Sequence, residues 1–212
     1  IYYFGNIDDC KRYVKKGLSL PDSINRPLTQ SLLYKRLANV FIRLEQSDSI
    51  MPTFDKGIEW AEKAKDTAQI IDIQILKADT YHRKGNSKRA LEILTKTRPL
   101  ADISSITRQR IAPIFVMGNI YLSNKNYQLA KERFLEAMEI SEGKDDYMHH
   151  LSLVNWGIAM NELNKPEEVI EKLPKAVTFF KDDTHELHAK THLAKAYFLS
   201  GEYDKSLQLG LN

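Results

Sequence analysis

Apolar residues recur at intervals of three and four along most of the chain. The stretches QSLLYKRLANVFIRLEQ (30–46) and KTHLAKAYFLSGEY (190–203) both place apolar side chains about one helical turn apart. No segment shows the sustained alternation of apolar and polar residues that is typical of a half-buried strand. The pattern predicts an all-α protein.

Short polar segments separate the helical stretches. They read KGNSK at 84–88, SNKN at 123–126, LNKP at 163–166 and SGEY at 200–203. Gly accommodates the left-handed backbone at a helix end, Asn or Ser caps the next helix, and Pro suits a first turn. The segments therefore predict antiparallel helical hairpins. Pro174 is predicted to kink or end its helix after Leu173. Pro113 is expected to be more benign if its helix starts near Ile111, since the first turn of a helix tolerates proline.

Small residues mark the first helix of each hairpin at a period of about 40 residues. These residues are Ala38, Ala78, Gly118, Gly157 and Ala194. A bulky residue follows each of them three positions later, and small and bulky residues also alternate in the second helices, as at Ala130 and Phe134. Helices that cross closely need this alternation. The second repeat keeps the pattern, through Gly57, only if seven extra residues lengthen its connector or first helix.

The pattern predicts one domain of stacked hairpins over residues 1–212. The approximate repeats are 1–22 (second half only), 27–66, 70–101, 107–142, 147–181 and 185–212 (incomplete). Because both ends fall inside a repeat, and an unfinished repeat exposes an apolar face, we expect the 212 residues to be a portion of a longer chain.

The segment MGNIYLSNKNYQLAKERFLEAM (117–138) resembles a tetratricopeptide repeat (TPR). Gly118, Tyr121, Tyr127, Ala130 and Phe134 fall in the signature positions of that family, as does Ala137. The segments ADTYHRKGNSKRALEIL (78–94) and AKAYFLSGEYDKSLQL (194–209) match the same signature. The resemblance implies a right-handed superhelical solenoid of stacked antiparallel hairpins. The period near 40, against 34 in the basic repeat, resembles the long-repeat arrays of bacterial sensors and regulators.

The family resemblance also implies a concave groove, lined by the first helices, that holds a protein or peptide segment. The residues carried over to this groove are Lys35, Arg36, Asn39, Arg43, Asp79, His82, Arg83, Phe115, Asn119, Asn155, Asn161, His188, His192 and Lys195. Asn side chains both donate and accept hydrogen bonds, so they suit the backbone of an extended peptide. Lys35 and Asn39 resemble the first pair of the family's carboxylate clamp, but Leu76, Ala112 and Val116 break that motif.

Composition narrows the choice of partner. The formal net charge is only +3, and the basic cluster KRYVKK (11–16) follows Asp8 and Asp9 as on a solvated helix face. We therefore expect no direct binding of nucleic acid. The single Cys10 excludes an internal disulfide, and no apolar run is long enough to span a membrane. These features leave the compartment open, either cytoplasmic or extracytoplasmic (periplasmic).

The sequence contains no recognisable catalytic motif: it lacks a nucleophile elbow, a phosphate-binding glycine loop and a zinc-protease signature. His185, His188 and His192 could share one helix face, and a Zn²⁺ site is an alternative there. We expect exposed or groove-lining histidines instead, with no catalytic residue, no metal and no cofactor. Histidines that line the groove would make binding depend on pH near neutrality.

Two functions fit this sequence. The first is a non-enzymatic protein- or peptide-binding scaffold, which the family resemblance implies is the sensing or interaction region of a bacterial signalling or transcriptional regulator. The second is a structural assembly module of a multiprotein complex, which would use outer faces or open repeat ends and could oligomerise through them.

Overall fold

The computed structural model describes residues 7–20 and 26–211. Every regular element in these two ranges is a helix, which confirms the all-α prediction. The chain forms two compact units, Ile1–Ala101 (unit 1) and Asp102–Asn212 (unit 2).

The helices follow one another in chain order. Unit 1 contains α1 (Ile7–Leu18), α2 (Pro27–Arg43), α3 (Ser47–Lys63), α4 (Thr67–Arg83) and α5 (Ser87–Asp102, whose last residue belongs to unit 2). Unit 2 contains α6 (Thr107–Ser123), α7 (Tyr127–Ser141), α8 (Asp146–Glu162), α9 (Pro166–Lys172), α10 (Pro174–Phe179), α11 (Thr184–Leu199) and α12 (Tyr203–Leu211). The first helices of successive hairpins begin at Pro27, Thr67, Thr107, Asp146 and Thr184, so the observed repeat is close to 40 residues.

Tight connectors of three residues join helices in both units. The middle residue of each has a left-handed backbone: Glu45, Lys65, Gly85, Lys125, Asn164 and Gly201, with φ between 55° and 83°. Glycine adopts this conformation without a steric penalty, whereas the other side chains carry one. The connectors therefore end each helix sharply and return the chain antiparallel.

Small residues lie where the hairpin helices approach most closely. A Cβ added at Gly118 would come within 2.6 Å of the Phe134 ring, which is fully buried. Ala38, Ala78 and Ala130 have no exposed surface. The small-and-bulky pattern of the sequence thus describes real contacts in the hairpin cores.

The prediction of seven extra residues in the second repeat is wrong. The α2–α3 connector has the same three-residue length as the α4–α5 connector. Ile50, Phe54 and Gly57 occupy in α3 the places that Ala90, Leu94 and Thr97 occupy in α5, and Ile50 and Phe54 are buried. The position of Ile50 holds a larger residue than the equivalent Ala90. The sequence pattern expected a small residue there, so the alignment without an insertion was missed.

The two prolines behave differently from each other. Pro174 divides the second helix of its hairpin into α9 and α10 at Leu173, as predicted. The condition for a first-turn position of Pro113 is not met, because α6 begins at Thr107 and the buried proline lies inside the helix. Helices α3 and α5 contain internal prolines as well, Pro52 and Pro99.

Candidate functional site

A cleft of about 560 Å³ lies in unit 1 between α1, α2 and α4. It contains five of the groove residues expected from the sequence, and we call it the arginine cleft. Its lining consists of Ile7, Cys10, Arg36, Asn39, Val40, Ile42, Arg43, Glu45, Leu76, Asp79, Thr80 and Arg83.

Helix α2 supplies one wall of the arginine cleft. Arg36, Asn39 and Arg43 are spaced at i, i+3 and i+7, so they share one face of the helix. Both arginines are exposed, and Asn39 is half-buried between them along the helix. This face therefore offers two guanidinium groups and an amide in a row.

Helix α4 supplies the opposite wall. Leu76 gives it an apolar surface, and Asp79 and Arg83 add one charge of each sign. The nearest distance between the guanidinium of Arg83 and the carboxylate of Asp79 is 3.9 Å, with side chains 71% and 43% exposed. Such an exposed, long contact contributes little energy, so both groups can turn toward a ligand.

Two other residues expected in this groove make contacts within unit 1. The Lys35 Nζ donates to Asp72 Oδ2 at 3.0 Å and to Gln69 Oε1 at 3.1 Å, which links α2 to α4. The Nδ1 of His82 lies 3.1 Å from the Ser87 hydroxyl across the α4–α5 connector. Neither residue lines the arginine cleft.

Unit 2 carries a different set of polar residues on its first helices. We call Asn119, Asn155, Asn161, Glu162, His188, His192 and Lys195 the polar row. The Asn155 side-chain amide donates to Asn119 Oδ1 at 2.9 Å, and the Asn161 amide donates to the backbone carbonyl of His192 at 2.9 Å. These bonds join successive hairpins, α6 to α8 and α8 to α11.

An ion pair joins the same helices at the polar row. Lys195 of α11 donates to Glu162 of α8. The hydrogen bond from Lys195, opposed by partial burial, holds the pKa of Glu162 below its usual value. Glu162 is therefore an ionised acceptor near neutral pH and a poor proton donor. It was not expected from the sequence, although it occupies in α8 the place of Arg43 in α2 and Arg83 in α4.

The histidines of the polar row are weak bases. Burial, followed by the charge of His188, lowers the pKa of His192 to about 4, and burial also lowers the pKa of His188. His192 is therefore neutral at physiological pH. The hypothesis of titration near neutrality is wrong for His192.

Polar atoms near His192 are also left without hydrogen bonds. Asn161 is only 4% exposed, and its Oδ1, like the Nδ1 of His192, is buried without a partner among the described residues. The rings of His188 and His192 meet edge to face at 4.8 Å, whereas His185 pairs with Asp183. Within the described ranges, no three His, Cys, Asp or Glu side chains are grouped to hold a metal ion.

Phe115, another residue expected in the groove, packs against the core. Its ring meets that of Phe134 edge to face at 5.7 Å. The apolar lining of the arginine cleft, Ile42 and Leu76 in particular, was missed because apolar periodicity alone does not separate core from cleft wall. Among the helices the structure describes, none has the length and apolar character needed to cross a membrane.

Comparison with known proteins agrees with this architecture. Residues 114–144 match the family model described as tetratricopeptide repeat. The Response regulator aspartate phosphatase I of Bacillus subtilis (strain 168) is 27% identical over 137 residues, which are 64% of this chain and 34% of that protein. The match thus spans about a third of the relative's length.

Two solved structures share the fold. BtubC (BKLC) from P. vanneervenii superposes with a TM-score of 0.82 at 14% identity, covering 96% of this chain and 86% of that one. The STAND signal transduction ATPase of Pyrococcus horikoshii, which has a tetratricopeptide repeat sensor, superposes with a TM-score of 0.80 at 18% identity, covering 95% and 32%. The chain contains a tetratricopeptide repeat, and its fold is a TPR-like solenoid.

Proposed function

We propose that this chain is a non-enzymatic scaffold that binds a protein or peptide segment, and that it forms the sensing or interaction region of a bacterial signalling or transcriptional regulator. The arginine cleft carries this proposal. It gathers Arg36, Asn39, Arg43, Asp79 and Arg83, five residues that the groove hypothesis had named, around one cavity with an apolar wall. A concave site with apolar walls and a few converging polar groups is typical of ligand binding.

Similarity to signalling proteins supports the regulatory part of the proposal. The Bacillus relative is named for response regulators, and the Pyrococcus structure is described as having a TPR sensor. TPR-like folds occur with many functions, so the site must carry the assignment.

The non-enzymatic part of the proposal rests on the chemistry of the polar groups. The relative's name describes a phosphatase, but the match covers only 34% of that protein. In the polar row, Lys195 already bonds to Glu162, and His192 is a weak base. General acid–base catalysis needs a group poised near the working pH, and these groups are not. We therefore expect no turnover of an aspartyl phosphate by this chain alone.

A selection from a randomised decapeptide library tests the scaffold function. We expect peptides that bind the wild-type chain and lose affinity at least fivefold with Asn39→Ala. Arg89→Ala is the matched control, since Arg89 lies in the same unit outside the arginine cleft and pairs with Glu92. Recovery of no binding peptide, or equal loss in both variants, would contradict the proposal.

A structural assembly module is the second candidate. Three side chains of the α11–α12 hairpin are largely exposed: Phe198 at 59%, Tyr203 at 63% and Leu207 at 64%. Exposed apolar groups of this size favour contact with another protein. This candidate predicts that Phe198→Ser abolishes assembly into a larger complex, seen by size-exclusion chromatography with light scattering, while Asn39→Ala leaves it intact.

A further inference from the structure

The arginine cleft has an excess of positive charge. Its charged lining residues are three arginines and two acids, Glu45 and Asp79. Within the described part of the chain, Arg36 has neither a hydrogen bond nor an ion pair from its side chain. A guanidinium group offers five donors in a planar fork that matches a carboxylate. The cleft therefore favours an anionic group over a cationic or neutral one.

Helix geometry sets the spacing of the anionic groups that the cleft can hold. Arg36 and Arg43 are seven residues apart on α2, so their Cα atoms are separated by about 10 Å along the helix axis, at about 1.5 Å per residue. A peptide in the extended polyproline II conformation covers the same distance in about three residues, at about 3.1 Å each, and its turn of three residues brings the first and fourth side chains to the same side. Two acidic residues three positions apart would thus meet both arginines.

The surface between the two arginines fits the rest of such a segment. Asn39 lies between them and can pair with a peptide bond through both its carbonyl and its amide. Leu76, on the opposite wall, offers apolar contact to a side chain that lies between the two acids. Asp79 would repel an acidic residue of the bound segment that lay near it. This repulsion restricts where along the cleft the acidic residues can bind.

We propose that the arginine cleft binds an extended protein segment with two acidic residues three positions apart and an apolar residue between them. This assignment rests on the proposed scaffold function and names its ligand class. The polar row of unit 2 contains no arginine, and its carboxylate Glu162 is held by Lys195. The preference for acids therefore belongs to unit 1.

The decapeptide selection described above also tests the ligand class. We expect enrichment of Asp or Glu in pairs three positions apart. Replacing these acids by Asn or Gln should weaken binding at least tenfold, measured by isothermal titration calorimetry. Arg36→Ala should weaken binding of the acidic peptide to a similar extent. Asp79→Asn should strengthen binding of the same peptide. Arg36 is exposed, so folding should be preserved, with circular dichroism as the check.

A charge exchange makes this test specific. The variant Arg36→Glu should no longer bind the acidic peptide. It should instead bind a peptide in which one acidic residue is replaced by Lys. Peptides that bind in the cleft without acidic enrichment, or that bind independently of Arg36, overturn the ligand class and leave the scaffold function standing. If no peptide of any charge is recovered, the scaffold function fails together with it.

Discussion

The first helices of the two units differ in how their polar side chains are used. In unit 1, Arg36 and Asn39 of α2 line an open cleft. In unit 2, Asn119 and Asn155 bond to each other, and Glu162 is held by Lys195. Equivalent surfaces of one repeat pattern thus provide an accessible charged site in one unit and an internally bonded network in the other.

The two units differ in the residues that the following hairpin places opposite these positions. Lys195 of α11 neutralises Glu162 of α8. Arg43 of α2 occupies the equivalent place to Glu162, and in the cleft it faces α4, which presents Leu76, Asp79 and Arg83. Repeat geometry brings first helices together, and the residue types then decide between internal stabilisation and ligand binding. Substitutions that affect one unit more than the other test this view.

The largest effect is expected from packing beneath the polar row. Unit 2 has Gly118 and Gly157 where unit 1 has Ala38 and Ala78. Gly118→Ala should lower the free energy of unfolding by about 1–3 kcal/mol, because the new Cβ would lie 2.6 Å from the buried Phe134 ring. Urea denaturation followed by circular dichroism measures the change.

Gly157→Ala is the matched control for that substitution. Its Cβ would lie 3.4 Å from Leu173, an ordinary contact. Alanine also favours helix over glycine by about 1 kcal/mol, so this variant should be neutral or more stable. Equal destabilisation by the two substitutions would refute the packing argument.

Acid should destabilise the protein through His192. The lowered pKa, about 4 against 6.5, means that the folded state binds this proton less readily than the unfolded state. The contribution of neutral His192 to the free energy of unfolding is fully present above pH 6.5 and is lost as the pH falls toward 4. Allowing for partial exposure, the loss is on the order of 1–2 kcal/mol. His192→Gln should reduce the fall in stability between pH 7 and 4.5 by this amount.

Other groups titrate in the same range, so the difference between variants is the diagnostic quantity. His188, Lys195 and Glu162 face His192 and contribute to its pKa. The unit 1 variant His82→Gln controls for loss of a histidine elsewhere. An acid response of His192→Gln identical to that of the wild type would show that His192 is not the group responsible.

A smaller effect is expected from the amide pair of the polar row. Asn155→Ala removes the hydrogen bond to Asn119 and leaves that half-buried amide without it, which should cost about 1 kcal/mol. Asn39→Ala, in the arginine cleft, should leave thermal stability nearly unchanged. A double-mutant cycle with Asn119→Ala and Asn155→Ala measures the coupling, and a coupling energy of zero would show that the network does not stabilise unit 2.

The smallest effect is expected at the connectors. The α4–α5 connector of unit 1 has Gly85 at φ 82°, whereas the α6–α7 connector of unit 2 has Lys125 at φ 60°. Lys125→Gly should raise the free energy of unfolding by about 0.5–1 kcal/mol, because glycine adopts the left-handed backbone without strain. The greater entropy of glycine in the unfolded state offsets part of this gain. Gly85→Lys should lower stability by a similar amount, and thermal unfolding measures both. Destabilisation by Lys125→Gly would mean that the lysine side chain makes a compensating contact.

Much of the fold could be predicted from local sequence. Apolar spacing indicated the helices, polar segments placed the hairpin turns, and Pro174 marked the break between α9 and α10. The α2–α3 connector was predicted wrongly because Ile50 stands where other repeats have a smaller residue. This position accepts either a small or a large side chain. Which size fits depends on the packing of the neighbouring helix.

The candidate site was less accessible to sequence reasoning. Arg36, Asn39 and Arg43 were named through the family resemblance, and they do line one cleft. Lys35, one residue from Arg36, instead bonds to Gln69 and Asp72. Adjacent residues on a helix point about 100° apart, so a small error in assigning the face changes the partner.

The sequence by itself determined the helices, their period near 40 residues and the small residues that let them pack. These features depend on interactions within a turn or between neighbouring turns of chain. Only the tertiary structure decided which polar side chains are bonded within the protein and which line a cleft. The deciding bonds join residues 31 to 37 positions apart, such as Asn155 with Asn119 and Lys35 with Asp72. Their formation depends on how consecutive hairpins stack, which no local pattern specifies.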